Sequence, residues 1–403
     1  MPASQTPSAE TGRFLKFLLH FGFLVSGVVT VLIGQVLPIL SARLSLDDTQ
    51  AGYFFIAQFS GSVAGTFLTQ PIVRRFGFGG ASALGFLAML VGVSGLNLDS
   101  MNLCLAAFVV NGFGIGVTLP SINMLTVELN PLRVTPALNF LNFFWGVGAI
   151  LCKPFVDFFG TPASIFQPTM MLAALLLAIS LMIALTMRKG KFKESSAQAG
   201  NDDDTPIWTT SIAWLIAFFN FIHVGFESGM GGWITTYAAR LPNQEGNVGW
   251  LSPTFAYFLF FVAGRLVAPF YSTFLNENKM LLLTLSTTML GVSILVWGDT
   301  FGFLVLGASI AGFGTSSIFP TNMARFTKTF GSSATRRATP LFISGTLGAA
   351  LTTWLIGYVS TNYQNLRIGM FVLLASCVLL ICLQVFLLSI SPNNVTEKDK
   401  LLK

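Results

Sequence analysis

The chain has 403 residues, 53% of them hydrophobic and only 9% charged, with a net charge of +6 and a mean hydropathy of +0.73. An average soluble domain is about 25% charged, and a soluble chain this apolar would expose aggregating patches, which excludes a soluble globular protein. In lipid the same composition demands helices, because the bilayer offers no partner to a backbone N–H or C=O group.

Apolar runs of about 20 residues or more, enough for a hydrocarbon core of about 30 Å, occur twelve times. They are predicted at 14–40, 48–72, 79–98, 101–128, 135–159, 164–187, 207–238, 248–274, 279–297, 301–327, 335–361 and 366–390. The expected fold is an all-α membrane protein of twelve transmembrane helices in two six-helix, pseudo-symmetric halves. Its parts are a tail at 1–13, a bundle at 14–187, a charged linker at 188–206, a second bundle at 207–390 and a tail at 391–403. The first run is too long for a signal peptide and lacks a small-residue cleavage site. Cys104, Cys152, Cys377 and Cys382 all fall in apolar runs and are expected to be free thiols.

Basic residues orient the chain, since cytoplasmic loops hold an excess of Lys and Arg. Of the 22, 17 fall in segments that share a side with the amino terminus, three (Arg43, Arg240, Arg367) fall opposite, and Lys153 and Arg265 lie within spans. Both termini are therefore expected in the cytoplasm, with the bacterial inner membrane as the expected location. No basic cluster is interleaved with exposed aromatics, so nucleic acid is not an expected partner.

Along the chain, span four carries Gly112-Phe113-Gly114 and Pro120, with Asn123 just after, and span ten carries Gly312-Phe313-Gly314 and Pro320, with Asn322. Glycine and proline at matching places in two halves predict spans four and ten that bend, beside a site near the midplane. Glu128 and Arg133 close the cytoplasmic end of span four, as a gate or helix-end pair. On span five, Asn139, Asn142, Gly146, Lys153 and Asp157 fall within about 60° of one another at 100° per residue. Such a polar stripe must face protein or a water-filled cavity. Trp145, beside it, offers a ring for stacking on a sugar, as does Trp233 on span seven.

On span seven, Asn220, His223 and Glu227 form a second stripe at i, i+3 and i+7. Two readings stay open for each charged group. Glu227 is a coupling or substrate residue, or half of a structural ion pair. Lys153 either pairs with Asp157 one turn away or touches solute and offers a charge to Glu227. His223 is a proton-relay or hydroxyl-binding group, or a buried, satisfied side chain.

No enzyme constellation is found. There is no phosphate-binding loop of the Gly-x4-Gly-Lys type, and two histidines without paired cysteines make no metal cluster. The expectation is a non-enzymatic secondary transporter without a bound cofactor, moving a small solute with a co-transported proton or sodium. Its partners would be that solute and membrane lipid, and its state monomeric. The expected solute-binding residues are Asn139, Asn142, Trp145, Lys153, Asn220, His223, Glu227, Trp233 and Asn322, with Glu227 and Asp157 as coupling residues, and their amides and few charges suit a neutral, hydroxyl-rich solute. The alternative is an exporter of amphipathic compounds, and a scaffold without transport activity has no supporting module in tails or linker.

Twelve spans, a charged central linker and the glycine-proline repeats together resemble the major facilitator superfamily. Arg74-Arg75-Phe76-Gly77, between spans two and three, is similar to its basic loop motif, with Ile72-Val73 where an acidic residue usually stands. Val262-Ala263-Gly264-Arg265 is similar to a structural arginine motif of its eighth span. His223 to Gly229, followed by Gly231-Gly232-Trp233-Ile234-Thr235-Thr236-Tyr237, resembles span seven of fucose-permease-like and sodium-dependent glucose transporters. That resemblance implies a sugar as substrate and proton or sodium as coupling ion. The intramembrane acid that the fucose permease type carries in span one is replaced here by His20 and Gln35.

Overall fold

The computed structural model describes residues 9–130, 133–190, 207–241, 251–271, 274–331 and 337–389. Of the predicted tails and linker, 1–8, 191–206 and 390–403 lie outside these residues. Every regular element among the described residues is helical, and eleven helices are long and apolar enough to cross a bilayer.

One of the eleven, Asp48–Gly95, has 48 residues, about 72 Å at 1.5 Å per residue and twice what a core of about 30 Å requires. Gly77 interrupts it with φ 72° and ψ 173°, a left-handed conformation open to glycine without a Cβ penalty. Residues 48–76 are therefore span two and 78–95 span three, which makes twelve crossings. A capping box at Asp47 and Gln50 starts the first of them, each side chain accepting from the other's backbone N–H at 2.8 and 3.1 Å.

The chain divides after Gly200 into two compact units. The first holds span one (Ala9–Leu44), spans two and three, span four (Met101–Leu129), span five (Val134–Phe159) and span six (Phe166–Gly190). Helix one starts at Ala9, inside the predicted tail. The second unit holds spans seven (Ser211–Ala239), eight (Pro253–Tyr271), nine (Glu277–Trp297), ten (Phe301–Phe330), eleven (Thr339–Tyr363) and twelve (Leu366–Ser389).

Lipid gives helices no hydrophobic reason to associate, so close packing over small residues supplies it. In unit one, a Cβ at Gly27 would lie 2.1 Å from the Trp145 carbonyl oxygen and one at Gly148 1.9 Å from that of Leu24, which joins spans one and five. A Cβ at Gly112 would collide with the Gln58 carbonyl and one at Gly65 with that of Phe113, so these glycines join spans two and four. Unit two repeats the scheme. Gly348 leaves no room for a Cβ against Phe221 O between spans seven and eleven, nor Gly312 against Tyr257 O between spans eight and ten. Gly114 and Gly314 are packed as closely on spans three and nine, where an added Cβ would crowd Gly85 O and Thr288 N.

The repeated glycines are thus contact surfaces between helices rather than flexible joints. Span four runs unbroken from Met101 to Leu129 through Pro120. Span ten does break, into Phe301–Thr315 and Ile318–Phe330, with Ser316 and Ser317 between them.

The far ends of the units are closed by related contacts. Arg43, near the end of span one, donates to the carbonyls of Leu96 and Leu98, which follow span three. In unit two Tyr237 Oη donates to Val296 O at 3.3 Å, and accepts from Arg367 Nε at 3.2 Å while Arg367 pairs with Asp299 at 2.5 Å. Each arrangement satisfies carbonyls that a helix C-terminus leaves open. All four cysteines are free thiols.

Candidate functional site

A proline inside a helix has no N–H for the carbonyl four residues before it, and its ring crowds that carbonyl. For Pro120 the orphaned group is Gly116 O, and for Pro320 it is Ser316 O. Buried in a membrane protein, such an acceptor must find another donor. In unit one the donors are neutral: Thr66 Oγ1 and Thr69 Oγ1 lie 3.4 and 3.1 Å from Gly116 O. Each hydroxyl shares its single proton with its own helix, at Ser62 O and Gly65 O.

In unit two the donor is a cation. Arg265 Nε lies 3.3 Å from Ser316 O, and its guanidinium sits 4.2 Å above the Phe261 ring, a cation–π contact that supports a desolvated charge. The break at Ser316–Ser317 relieves the crowding that Pro320 would impose. Pro320 becomes the third residue of the second half-helix, where no intrahelical N–H bond is expected of it.

Arg265 is not isolated. Its charge acts on Glu227 and on His223, and the Glu227 charge acts on Tyr257. His223 Nε2 lies 3.6 Å from Glu227 Oε2, the ring fully buried and the carboxylate side chain 23% exposed. Among the described residues neither ring nitrogen of His223 has a hydrogen-bond partner, and the buried Tyr257 hydroxyl has none either. A carboxylate with partial access, a fully buried imidazole, a phenol and a guanidinium therefore share one region of spans seven and eight, against the discontinuity of span ten. Such a cluster can hold a proton or bind a polar solute, and ionisable groups at this depth are functional by default.

The other expected site residues divide. Asn220 is buried and its Nδ2 donates to Leu341 O at 2.8 Å, tying span seven to span eleven. Trp233 is fully buried with Nε1 on Thr353 O at 2.8 Å, a second tie between the same spans and no stacking surface. Asn322 is buried and its Nδ2 reaches Ile216 O at 3.3 Å, while Asn123 bonds Leu119 O within its own helix. These amides and the indole hold helices together.

On span five, Lys153 and Asp157 form an ion pair, with side chains 12% and 34% exposed, so each charge has a partner inside its own unit. Asn139 and Asn142 are exposed, and Asn142 Nδ2 bonds Leu138 O at 2.8 Å. Gly146 is buried, and the half-buried Trp145 keeps its Nε1 without a partner. Glu128 is half-buried and has a partner, and Arg133, at the start of span five, is exposed.

A groove of about 600 Å³ on spans eight, nine and ten lies apart from this cluster. Phe260, Phe301, Leu306, Ile310 and Phe313 line most of it, so it suits apolar matter and not a hydroxyl-rich solute.

The family model described as "Major Facilitator Superfamily" matches residues 19–243. The chain belongs to the Major Facilitator Superfamily. Over 234 residues it is 25% identical to sodium-dependent glucose transporter 1 of Xenopus laevis, a match covering 56% of this chain and 46% of that protein. The chain thus aligns with about half the length of that relative. Among solved structures it is similar to the nucleoside transporter NupG, with TM-score 0.74 and 15% identity over 93% of this chain and 98% of that one. It is also similar to the E. coli fucose:proton symporter, with TM-score 0.60 and 17% identity over 93% and 99%. At these identities the structural likeness establishes the fold, the twelve transmembrane helices of a multi-pass membrane protein.

Within this superfamily member, the loop arginines Arg74 and Arg75 are exposed just before Gly77, and Arg75 lies 5.3 Å from the centre of the Phe76 ring. Tyr257, Ser316 and the Thr66–Arg265 equivalence are absent from the sequence reading. A signal for them was present: Gly65-Thr66 and Gly264-Arg265 are 199 residues apart, nearly the spacing of the span four and ten repeat.

Proposed function

We propose that this chain is a secondary active transporter that moves a small polar solute, a sugar, across the membrane by alternating access, coupled to a co-transported proton or sodium through Glu227. The observation that carries this reading is the carboxylate at membrane depth, partly accessible and 3.6 Å from a buried histidine whose ring has no hydrogen-bond partner among the described residues. A purely structural acid would be expected to sit in a closed, fully satisfied pair. The exposed amides of Asn139 and Asn142 suit hydroxyl groups, and the sugar named for two of the relatives agrees with that chemistry. In this reading the chain works as a monomer in the bacterial inner membrane, and the excess of Lys and Arg in the segments that share a side with the amino terminus supports cytoplasmic termini.

The apolar groove on spans eight, nine and ten favours a second reading, an exporter of amphipathic compounds. Competition separates the two. In vesicles carrying the protein, a panel of hexoses, pentoses and nucleosides should include a competitor that abolishes uptake of a labelled sugar, whereas amphipathic cations should leave it unchanged. Block by the amphipathic cations alone would establish the exporter.

A further inference from the structure

We propose that Arg265 is a tethered cation, whose guanidinium holds the position beside Glu227 and the open carbonyl of span ten that a coupling sodium ion would otherwise take, so that this transporter works without sodium. The inference rests on the reading of Glu227 as the coupling residue and names the ion.

The two units supply the comparison. Thr66 and Arg265 stand at equivalent places, because the glycine before each lies so close to the carbonyl of an equivalent phenylalanine, Phe113 or Phe313, that no Cβ would fit there without a shift. Both residues approach the carbonyl orphaned by a proline, Gly116 O at 3.4 Å and Ser316 O at 3.3 Å. Neutral hydroxyls satisfy that acceptor in unit one, so a cation is not needed to satisfy it. In unit two the helical hydrogen-bond ladder is interrupted at that carbonyl, where Ser316 caps the C-terminal end of the first half-helix and the second begins two residues on. Open carbonyls at the C-terminal end of a half-helix, next to a carboxylate, are the setting in which membrane transporters hold sodium. Here that setting already contains a positive charge, kept in place by Ser316 O and the Phe261 ring. A second cation would meet direct repulsion at short range in a medium of low dielectric.

The proton then remains as coupling ion. The titratable and charged groups that act on Glu227 or its neighbours are His223 on the same span, Tyr257 and Arg265 on span eight, and Cys377 on span twelve, which acts on Tyr257.

The test uses the full-length purified protein and reads thermal stability in sodium chloride against choline chloride at equal ionic strength. Wild type and Arg265→Lys, which keeps the tethered charge, should melt at the same temperature in both salts. Arg265→Ala should gain a saturable, sodium-specific rise of about 2 °C or more, and Arg265→Ala with Glu227→Gln should lose it. A sodium-specific rise in wild type or in Arg265→Lys overturns the proposal, as does a folded Arg265→Ala that ignores sodium. If Arg265→Ala does not fold, wild-type uptake decides: an unchanged initial rate on replacing sodium by choline at constant pH supports the proposal, and a tenfold fall overturns it. Binding is read without transport, so a failure of Glu227 as coupling residue would show separately, as concentrative uptake by Glu227→Gln.

Discussion

Thr66 and Arg265 occupy the same place in the two halves of this chain and reach the same kind of carbonyl, one left open by a proline four residues further on. The repeat that makes the halves alike is a packing and hydrogen-bonding scheme: glycine against carbonyl, proline, rescued acceptor. The halves differ in the charge of the rescuing group. Unit one closes the acceptor with hydroxyls and keeps its own ion pair on span five. Unit two closes it with a guanidinium and sets a carboxylate and an imidazole nearby.

Replacing Glu227 by glutamine should abolish accumulation against a gradient while leaving solute exchange across the membrane. The amide still accepts hydrogen bonds but cannot carry a proton. Counterflow and protonophore-sensitive accumulation, measured in the same vesicles at matched expression, check this. Full concentrative uptake by the variant would end the coupling role.

The proline rescue predicts a thermodynamic cycle in unit one. Thr66→Val with Thr69→Val leaves Gly116 O without a donor and should cost about 1–3 kcal/mol. Adding Pro120→Ala restores a backbone N–H at the right distance, so the same threonine changes should then cost much less. Thermal melts of the four proteins measure the coupling, and equal costs with and without the proline would refute it.

Gly112→Ala should be among the more damaging small substitutions, since the added methyl would stand 1.8 Å from a backbone oxygen that cannot rotate away. About 1–3 kcal/mol is expected for such overpacking. Gly302→Ala is the control: an added methyl would have its nearest neighbour 4.0 Å away, and alanine favours the helix by about 1 kcal/mol. Melting temperatures of the two should move in opposite directions.

Trp233→Phe should lower stability by about 1–3 kcal/mol through loss of the bond to Thr353 O and of ring volume, and leave the KM for solute unchanged. A large rise in KM at unchanged stability would return Trp233 to the solute site.

Lys153→Met alone strands Asp157, whereas Lys153→Met with Asp157→Asn removes the whole pair. The double variant should express and transport close to wild type and better than the single one, because the pair is satisfied within its helix. Loss of solute binding in the double variant, with normal stability, would show that the lysine touches solute.

The twelve crossings were legible because lipid enforces a simple rule: a long apolar run must be helix. Gly77 did not disturb that reading, since its neighbours remain helical on both sides. The stripe on span seven and the Lys153–Asp157 pair were legible from the helical period. The bend of span ten was legible from its glycines and Pro320, but its place at Ser316 and Ser317 was not, because the apolar period continues through them, and the same signal in span four left that helix unbroken. Trp233, Asn220 and Asn322 were assigned to solute because polar groups in lipid suggest function. They turn out to bond backbone carbonyls of neighbouring spans, a use that no periodicity reveals. Tyr257 was missed for the opposite reason, its phenol lying in an aromatic stretch that reads as bulk.

The single residue at the turn between spans two and three bears on how the protein is made. With only Gly77 between two crossings, no loop exists that could wait in water while one helix enters the bilayer alone. Spans two and three are therefore expected to insert together as a helical hairpin, with Arg74 and Arg75 beside the bend biasing its tip toward the side where synthesis takes place.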